Sequence, residues 1–150
     1  MKGSHVAISV ALLLVAGIVF LIGRNPHNVD HPVNRESLVG KWVLSANSRR
    51  RLGVDTTGKA LSLELREDGR ATEREFPIVN LAGFRFPSVE YKSREGRWSL
   101  GGGSVATTMV TVNLGSSDHS FYVEEDLHQY YLLQILSDPD GSDGLRFEKK

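Results

Sequence analysis

The sequence predicts an all-β domain, an antiparallel up-and-down barrel of about eight strands, preceded by one N-terminal transmembrane helix. Three observations predict it. Short stretches that alternate apolar and polar residues recur from Leu38 to the C-terminus, Gly-, Asp- and Ser-rich turns separate them, and a charge-free apolar run opens the chain. The 150 residues suit one domain. Basic and acidic side chains balance at 18 each, which argues against a nucleic-acid binder, because such proteins carry a basic excess. The absence of cysteine excludes disulfides, thiolate metal sites and a Cys nucleophile.

Residues 6–22 read VAISVALLLVAGIVFLI, and Gly23 extends the run. A bilayer core takes about 20 apolar residues, with roughly 17 as a lower bound. A signal-peptide core is shorter and ends at small residues. Here Phe20-Leu21-Ile22-Gly23-Arg24 places Leu where a small residue belongs. Residues 1–23 are therefore expected as an uncleaved signal-anchor, contacting the membrane through residues 6–23. The short N-terminal tail puts the main domain outside the cytoplasm, on the periplasmic or cell-surface side, although basic residues on both flanks leave the positive-inside rule nearly silent. Residues 24–37, rich in Asn, Pro and His, are expected as a linker. His27 and His31 lie four apart, but Pro26 and Pro32 bracket them and no third ligand is near, so a solvated linker explains them better than a metal pair.

The domain, residues 38–150, reads strand by strand. Gly40–Ser45 is the first. Leu61–Arg66 alternates strictly and has one wet face; Glu67-Asp68-Gly69 turns it, and Arg70–Phe76 returns. Gly96–Leu100, Thr107–Leu114, Ser120–Glu124, Tyr130–Ser137 and Leu145–Lys149 follow. No helix is expected outside the anchor. Such spacing suits a sandwich or a barrel; closure into a barrel removes the free edges. The core candidates are Leu61, Leu63, Leu65, Trp98, Leu100, Val110, Val112, Leu114, Tyr131, Leu133, Ile135 and Phe147. They are mostly large, which predicts an interior filled by side chains. Gly40-Lys41-Trp42-Val43-Leu44 and Gly96-Arg97-Trp98-Ser99-Leu100 share one form, in which glycine allows close backbone approach and the tryptophan plugs a barrel end.

These residues carry a resemblance. Gly40-x-Trp42, then Leu61-x-Leu63-x-Leu65-x-x-Asp68-Gly69, Gly96-x-Trp98-x-Leu100, a late Tyr/Leu-rich strand ending in Ser137-Asp138-Pro139-Asp140, and Arg146-Phe147 resemble small lipocalin-like (calycin-type) bacterial envelope proteins of unassigned activity. The resemblance spans residues 38–150. It implies a structural set of Gly40, Trp42, Gly96, Trp98 and Arg146, with Arg146 stacked on Trp42 by cation–π contact. The domain is shorter than a typical lipocalin and lacks the cysteines and C-terminal helix of secreted animal members.

Few residues point to chemistry. Ser117, Asp118 and His119 are adjacent, so their side chains diverge, and a hairpin turn accounts for them. Asp138, Asp140 and Asp143 resemble a hard-cation loop, but Ser142 stands where a ligand belongs, so no metal is expected and these remain the weak candidates. Glu124, Glu125 and Asp126 lie near His128 and are read as a solvated strand end. Gly101-Gly102-Gly103 lacks the Lys-Ser/Thr of a phosphate loop, and no cofactor is expected. Arg49-Arg50-Arg51 is a solvated loop, with contact to anionic headgroups as the sharper alternative. Residues 77–91 hold Phe84, Phe86, Val89 and Tyr91. These are expected as the mouth for a ligand or partner, against a further strand Gly83–Tyr91 broken at Pro87. The expected function is a non-enzymatic, membrane-anchored binding module of the bacterial envelope, with a protein partner or a small apolar ligand and no nucleic acid. The alternatives are an inhibitor or immunity-type partner, and a small envelope hydrolase using a carboxylate and His128.

Overall fold

A sheet of eight short strands has two edges unless its first strand pairs with its last, and here it does. The structure, a computed structural model, describes residues 27–29, 31–52, 58–80, 88–102, 108–136 and 144–150. Its strands are β1 (His27–Asn28), β2 (Gly40–Leu44), β3 (Ser62–Leu65), β4 (Arg70–Asn80), β5 (Ser88–Gly102), β6 (Thr108–Asn113), β7 (Asp118–Asp126), β8 (Gln129–Ile135) and β9 (Gly144–Lys149). From β2 to β9 each strand pairs antiparallel with the next, and β9 pairs back with β2, with Trp42 opposite Lys149 and Leu44 opposite Phe147. The result is a closed, eight-stranded antiparallel barrel. The two-residue β1 lies along β7 beyond the end of β6, with His27 opposite Glu125.

Side chains fill the barrel from strands that are not neighbours. Phe76 of β4 stacks on Phe147 of β9 at 5.2 Å, and Phe121 of β7 meets both rings edge-on at 5.9 and 5.8 Å. Such geometry suits aromatic quadrupoles. Leu61, Leu63, Leu65, Val110, Val112, Val123 and Leu132 are buried with them, as are the two tryptophans. On β8 the inward residue is Leu132, fixed by its register with Val123 and Phe147. Tyr131, Leu133 and Ile135, expected in the core, are only half-buried; β8 is apolar on both parities, so its sequence did not mark the inner face.

The strands run past their expected bounds at one place. β4 continues to Asn80 and β5 begins at Ser88, so most of residues 77–91 is strand; residues 81–87 lie outside the described part. Among the described residues, β4 has no partner on the β3 side after Arg74, and β5 none on the β6 side before Arg97. The two form a two-stranded arm. At its root Glu73 opposes Arg94 and Phe76 opposes Lys92, so Arg74 and Glu75 share one opposing residue, Ser93. This is a β-bulge. Glu75 takes φ +46°, and its N–H donates to Ser93 Oγ at 3.0 Å. The bulge shifts the alternation by one, so Glu73 and Phe76 both face inward.

Two helices correct the expectation of none. Helix α1 (Arg35–Leu38) is capped by Asn34, whose Oδ1 accepts from the Glu36 N–H, and α2 (Ala46–Arg51) by Ser45, whose Oγ accepts from the Ser48 N–H. Both are too short to show apolar periodicity. The stretch expected as a linker also docks: Val29 and Val33 are buried against the core, as is Leu38 at the start of the expected domain. Helix α1 closes one end of the barrel. Trp42 Nε1–H donates to the Leu38 carbonyl at 2.9 Å, and Arg35 lies 4.0 Å over the Trp98 ring. Helix α2, the β6–β7 turn and the arm lie at the other end. No helix among the described residues is long and apolar enough to cross a membrane, and the expected anchor over residues 1–23 lies outside them.

Two substitutions test this packing. Trp42→Ala should cost about 3–5 kcal/mol in urea unfolding, the range for deleting a large buried aromatic. A Cβ on Gly96 would fall onto the Asn113 carbonyl oxygen, whereas one on Gly101 meets open space. Gly96→Ala should therefore cost about 1–3 kcal/mol or more and Gly101→Ala much less. Equal melts for the two alanine variants would show that β5 and β6 do not approach this closely.

Candidate functional site

The polar residues that the barrel draws together are distant in sequence. Glu73 on β4 faces the lumen and is 0 % exposed. A lone buried carboxylate would be costly, and two neighbours satisfy it. Arg94, directly opposite on β5, donates to Glu73 Oε2 from Nη2 at 2.8 Å and from Nε at 3.2 Å. His119, on β7, has Nδ1 at 2.7 Å from Glu73 Oε1. Arg94 Nη2 also lies 3.2 Å from His119 Nε2, and Arg94 Nη1 donates to Ser117 Oγ at 3.1 Å. An Nδ1–H donating to Glu73 and an Nε2 accepting from Arg94 fit these distances, and both ring nitrogens are engaged. Its ring packs at a tilt against Phe76, with centroids 5.1 Å apart, which joins the polar cluster to the aromatic one.

This cluster sits just inside the end that carries the arm, with the Arg94 side chain 24 % and the His119 side chain 12 % exposed. Sequence reasoning dismissed Ser117-Asp118-His119 because adjacent side chains diverge. Asp118 is indeed exposed, but Ser117 and His119 both turn toward Arg94, 23 and 25 residues away. No local spacing joins Glu73 to Arg94 and His119; only the β4–β5 register and the bulge do.

Among the expected mouth residues, Phe84 and Phe86 lie outside the described part. Val89 and Tyr91 sit on the arm, opposite Val79 and Pro77. Tyr91 packs on the core, its hydroxyl is buried without a hydrogen-bond partner, and burial pushes the phenol above its usual range. The Lys59 ammonium lies 4.7 Å over its ring. Asp138, Asp140 and Asp143 also lie outside the described residues, among which no three His, Asp or Glu side chains gather as metal ligands. His128 is fully exposed at the β7–β8 turn, 3.9 Å from a Glu125 oxygen.

The structural set is placed as follows. Gly40 takes φ +139°, and a Cβ there would press on the Lys149 side chain. Trp98 Nε1–H donates to the Arg66 carbonyl at 2.8 Å. Arg146 does not stack on Trp42, which corrects the expectation from the resemblance. Its register opposite Leu133 turns it to the outer face, where the guanidinium lies 3.6 Å over Tyr131. The cation over Trp42 is Lys149, at 5.9 Å, held by donation to the Ser37 carbonyl at 2.7 Å. Beside Arg146, Glu124 Oε2 is 3.7 Å from Nε. Burial pushes the Glu124 carboxyl above its usual value, and Arg146 draws it partly back.

Comparison of the chain with protein-family models, with curated proteins and with solved structures finds no match.

Removing one member of a buried ion cluster leaves a charge uncompensated, whereas replacing all members with apolar groups is often neutral or stabilising. Glu73→Ala should therefore cost about 3–5 kcal/mol, and the combined Glu73→Leu, Arg94→Met, His119→Phe variant should recover most of it in urea unfolding. A Glu73→Ala melt equal to wild type would show that the cluster adds nothing. Glu124 binds its proton more tightly folded than unfolded, so its contribution is present below the usual carboxyl pKa of 4.5 and lost as pH rises through the raised value. Glu124→Gln should gain on wild type as pH increases from about 4 to 7; a constant difference across that range would contradict the burial of Glu124.

Proposed function

We propose that this chain is a membrane-tethered, non-enzymatic binding module of lipocalin-like architecture, held outside the cytoplasm by residues 6–23 and recognising a protein partner through the β4–β5 arm. The observation that carries the reading is the state of the lumen. Phe76, Phe121 and Phe147 meet across it, and the polar cluster at its arm end has both Glu73 oxygens and both His119 nitrogens engaged. A general base needs a free nitrogen within reach of a substrate proton, and a deep ligand needs volume; the described side chains of this interior offer neither. His128, the residue a hydrolase reading would use, stands fully exposed, and its Glu125 neighbour, at 3.9 Å, is beyond hydrogen-bond range. Recognition is left to surfaces outside the lumen.

The arm is the surface best suited to that task. Its two strands extend beyond the barrel ladder, and Val89 is half-exposed on it. The tether rests on the uncharged run VAISVALLLVAGIVFLI, long enough for a bilayer core.

Two outcomes are expected for the full chain in its native envelope. It should stay with membranes through an alkaline wash and retain residues 1–23; a soluble protein beginning near Asn25 would show a cleaved leader instead. After mild extraction, native mass spectrometry should find a stoichiometric protein partner that Val89→Asp abolishes without shifting the urea midpoint. A stoichiometric lipid on the wild-type chain, with no protein, would replace the partner reading with a carrier.

A further inference from the structure

We infer that the β7–β8 turn is a membrane-seating element: Leu127 inserts into the surface of the bilayer that residues 6–23 span, and the adjoining cleft receives lipid headgroups. The inference rests on the tether proposed above. Its starting point is the direction of β1. His27 opposes Glu125 and Asn28 opposes Glu124, so β1 runs antiparallel to β7, and the chain traced back from His27 leaves the barrel toward the β7–β8 turn. The four steps from Gly23 to His27 reach at most about 14 Å even when extended. A membrane span ending at Gly23, as proposed above, would therefore keep the bilayer surface within that distance of β1 and the β7–β8 turn. The His31 imidazole, 2.9 Å from a Glu125 oxygen, and the Val29 N–H donating to the Val123 carbonyl at 3.1 Å hold the strap there.

The turn is built unusually for a hairpin. Its two residues, Leu127 and His128, take φ +49° and +65°. Two-residue hairpin turns with both angles positive favour Asn-Gly or similar pairs, because a larger side chain is strained in that region. Leu127 is nonetheless 74 % exposed, the large apolar side chain left in solvent among the described residues. An exposed leucine at a strained tip is unfavourable for the domain alone and favourable where the tip meets hydrocarbon. Next to it a cleft of about 530 Å³ is lined by His128, Gln129, Tyr130, Tyr131, Glu148, Lys149 and Lys150. Tyrosines belong to the belt at headgroup level, and lysines meet anionic headgroups there. The acidic groups nearby are Glu125, Asp126 and Glu148; Glu125 is taken by His31, so the surface is close to balanced and the apolar tip sets the seating. Arg49–Arg51, the other candidate for lipid contact, lie on α2 at the opposite end. There Arg49 bonds the Leu44, Lys59 and Ala60 carbonyls.

The chain has no cysteine, so single cysteines label cleanly. An environment-sensitive fluorophore is placed at Gln129→Cys, and separately at Ser116→Cys in the β6–β7 turn, in the full chain reconstituted into phosphatidylcholine–phosphatidylglycerol vesicles. The probe at 129 should be blue-shifted, shielded from aqueous iodide and dimmed by nitroxide lipids, while the probe at 116 stays water-like. Leu127→Asn relieves the backbone while removing the apolar tip. It should return the 129 probe toward water with vesicle flotation unchanged. A chain that floats with 129 as wet as 116 overturns the seating and leaves the tether. A 129 probe unchanged by Leu127→Asn overturns the role of Leu127. A chain that does not float overturns tether and seating together.

Discussion

The contact of Phe76, Phe121 and Phe147 across the lumen is the interaction on which the rest of the barrel depends. The rings come from β4, β7 and β9, strands that are not hydrogen-bonded to one another, so they tie together walls that the ladder alone leaves apart. Their burial removes a large apolar area from water, and the closed ladder between β2 and β9 keeps water from returning along an edge. His119 packs against Phe76, so the placement of the Glu73 cluster also follows from this contact.

The bulge at the arm root makes the contact compatible with the polar cluster. In a regular strand Glu73 and Phe76 point to opposite faces. With Arg74 and Glu75 set against Ser93, both face inward, and the lumen holds a carboxylate and an aromatic ring from one strand. The barrel is thus divided between its ends. At one end α1, Trp42 and Trp98 form a closed plug, with Arg35 and Lys149 over the two rings. At the other end lie the polar cluster, α2 and the arm.

Much of the barrel was legible in the sequence, and the failures have physical causes. Leu61–Arg66 alternates because its leucines face the core while Glu64 and Arg66 reach water, and the turn at Glu67-Asp68-Gly69 announces itself through glycine, here at φ +81°. Strand β8 misled because Tyr130, Tyr131, Leu132 and Leu133 are apolar in succession, so only the register with β7 and β9 fixes Leu132 as the inner residue. The arm was only partly legible: Val89 and Tyr91 alternate with polar residues and suggested a further strand as one of two readings, but the polar run KSREG after them hid the length of β5. The Glu73 cluster had no sequence signature at all: its members are 21, 25 and 46 residues apart, and a bulge without glycine leaves no mark. Arg146 was misassigned because the resemblance gives a residue type late in the chain but not its parity.

A lumen occupied by its own side chains is the claim from which both the binding reading and the exclusion of a deep ligand follow. It is tested most directly by titrating the full chain and a Phe76→Ala variant with a small aromatic fluorophore such as aminoanthracene. The variant, with its ring removed, opens an apolar cavity of the kind that takes up such molecules. Saturable uptake by Phe76→Ala and none by the wild type is the predicted result. Saturable, stoichiometric uptake by the wild type would contradict the account.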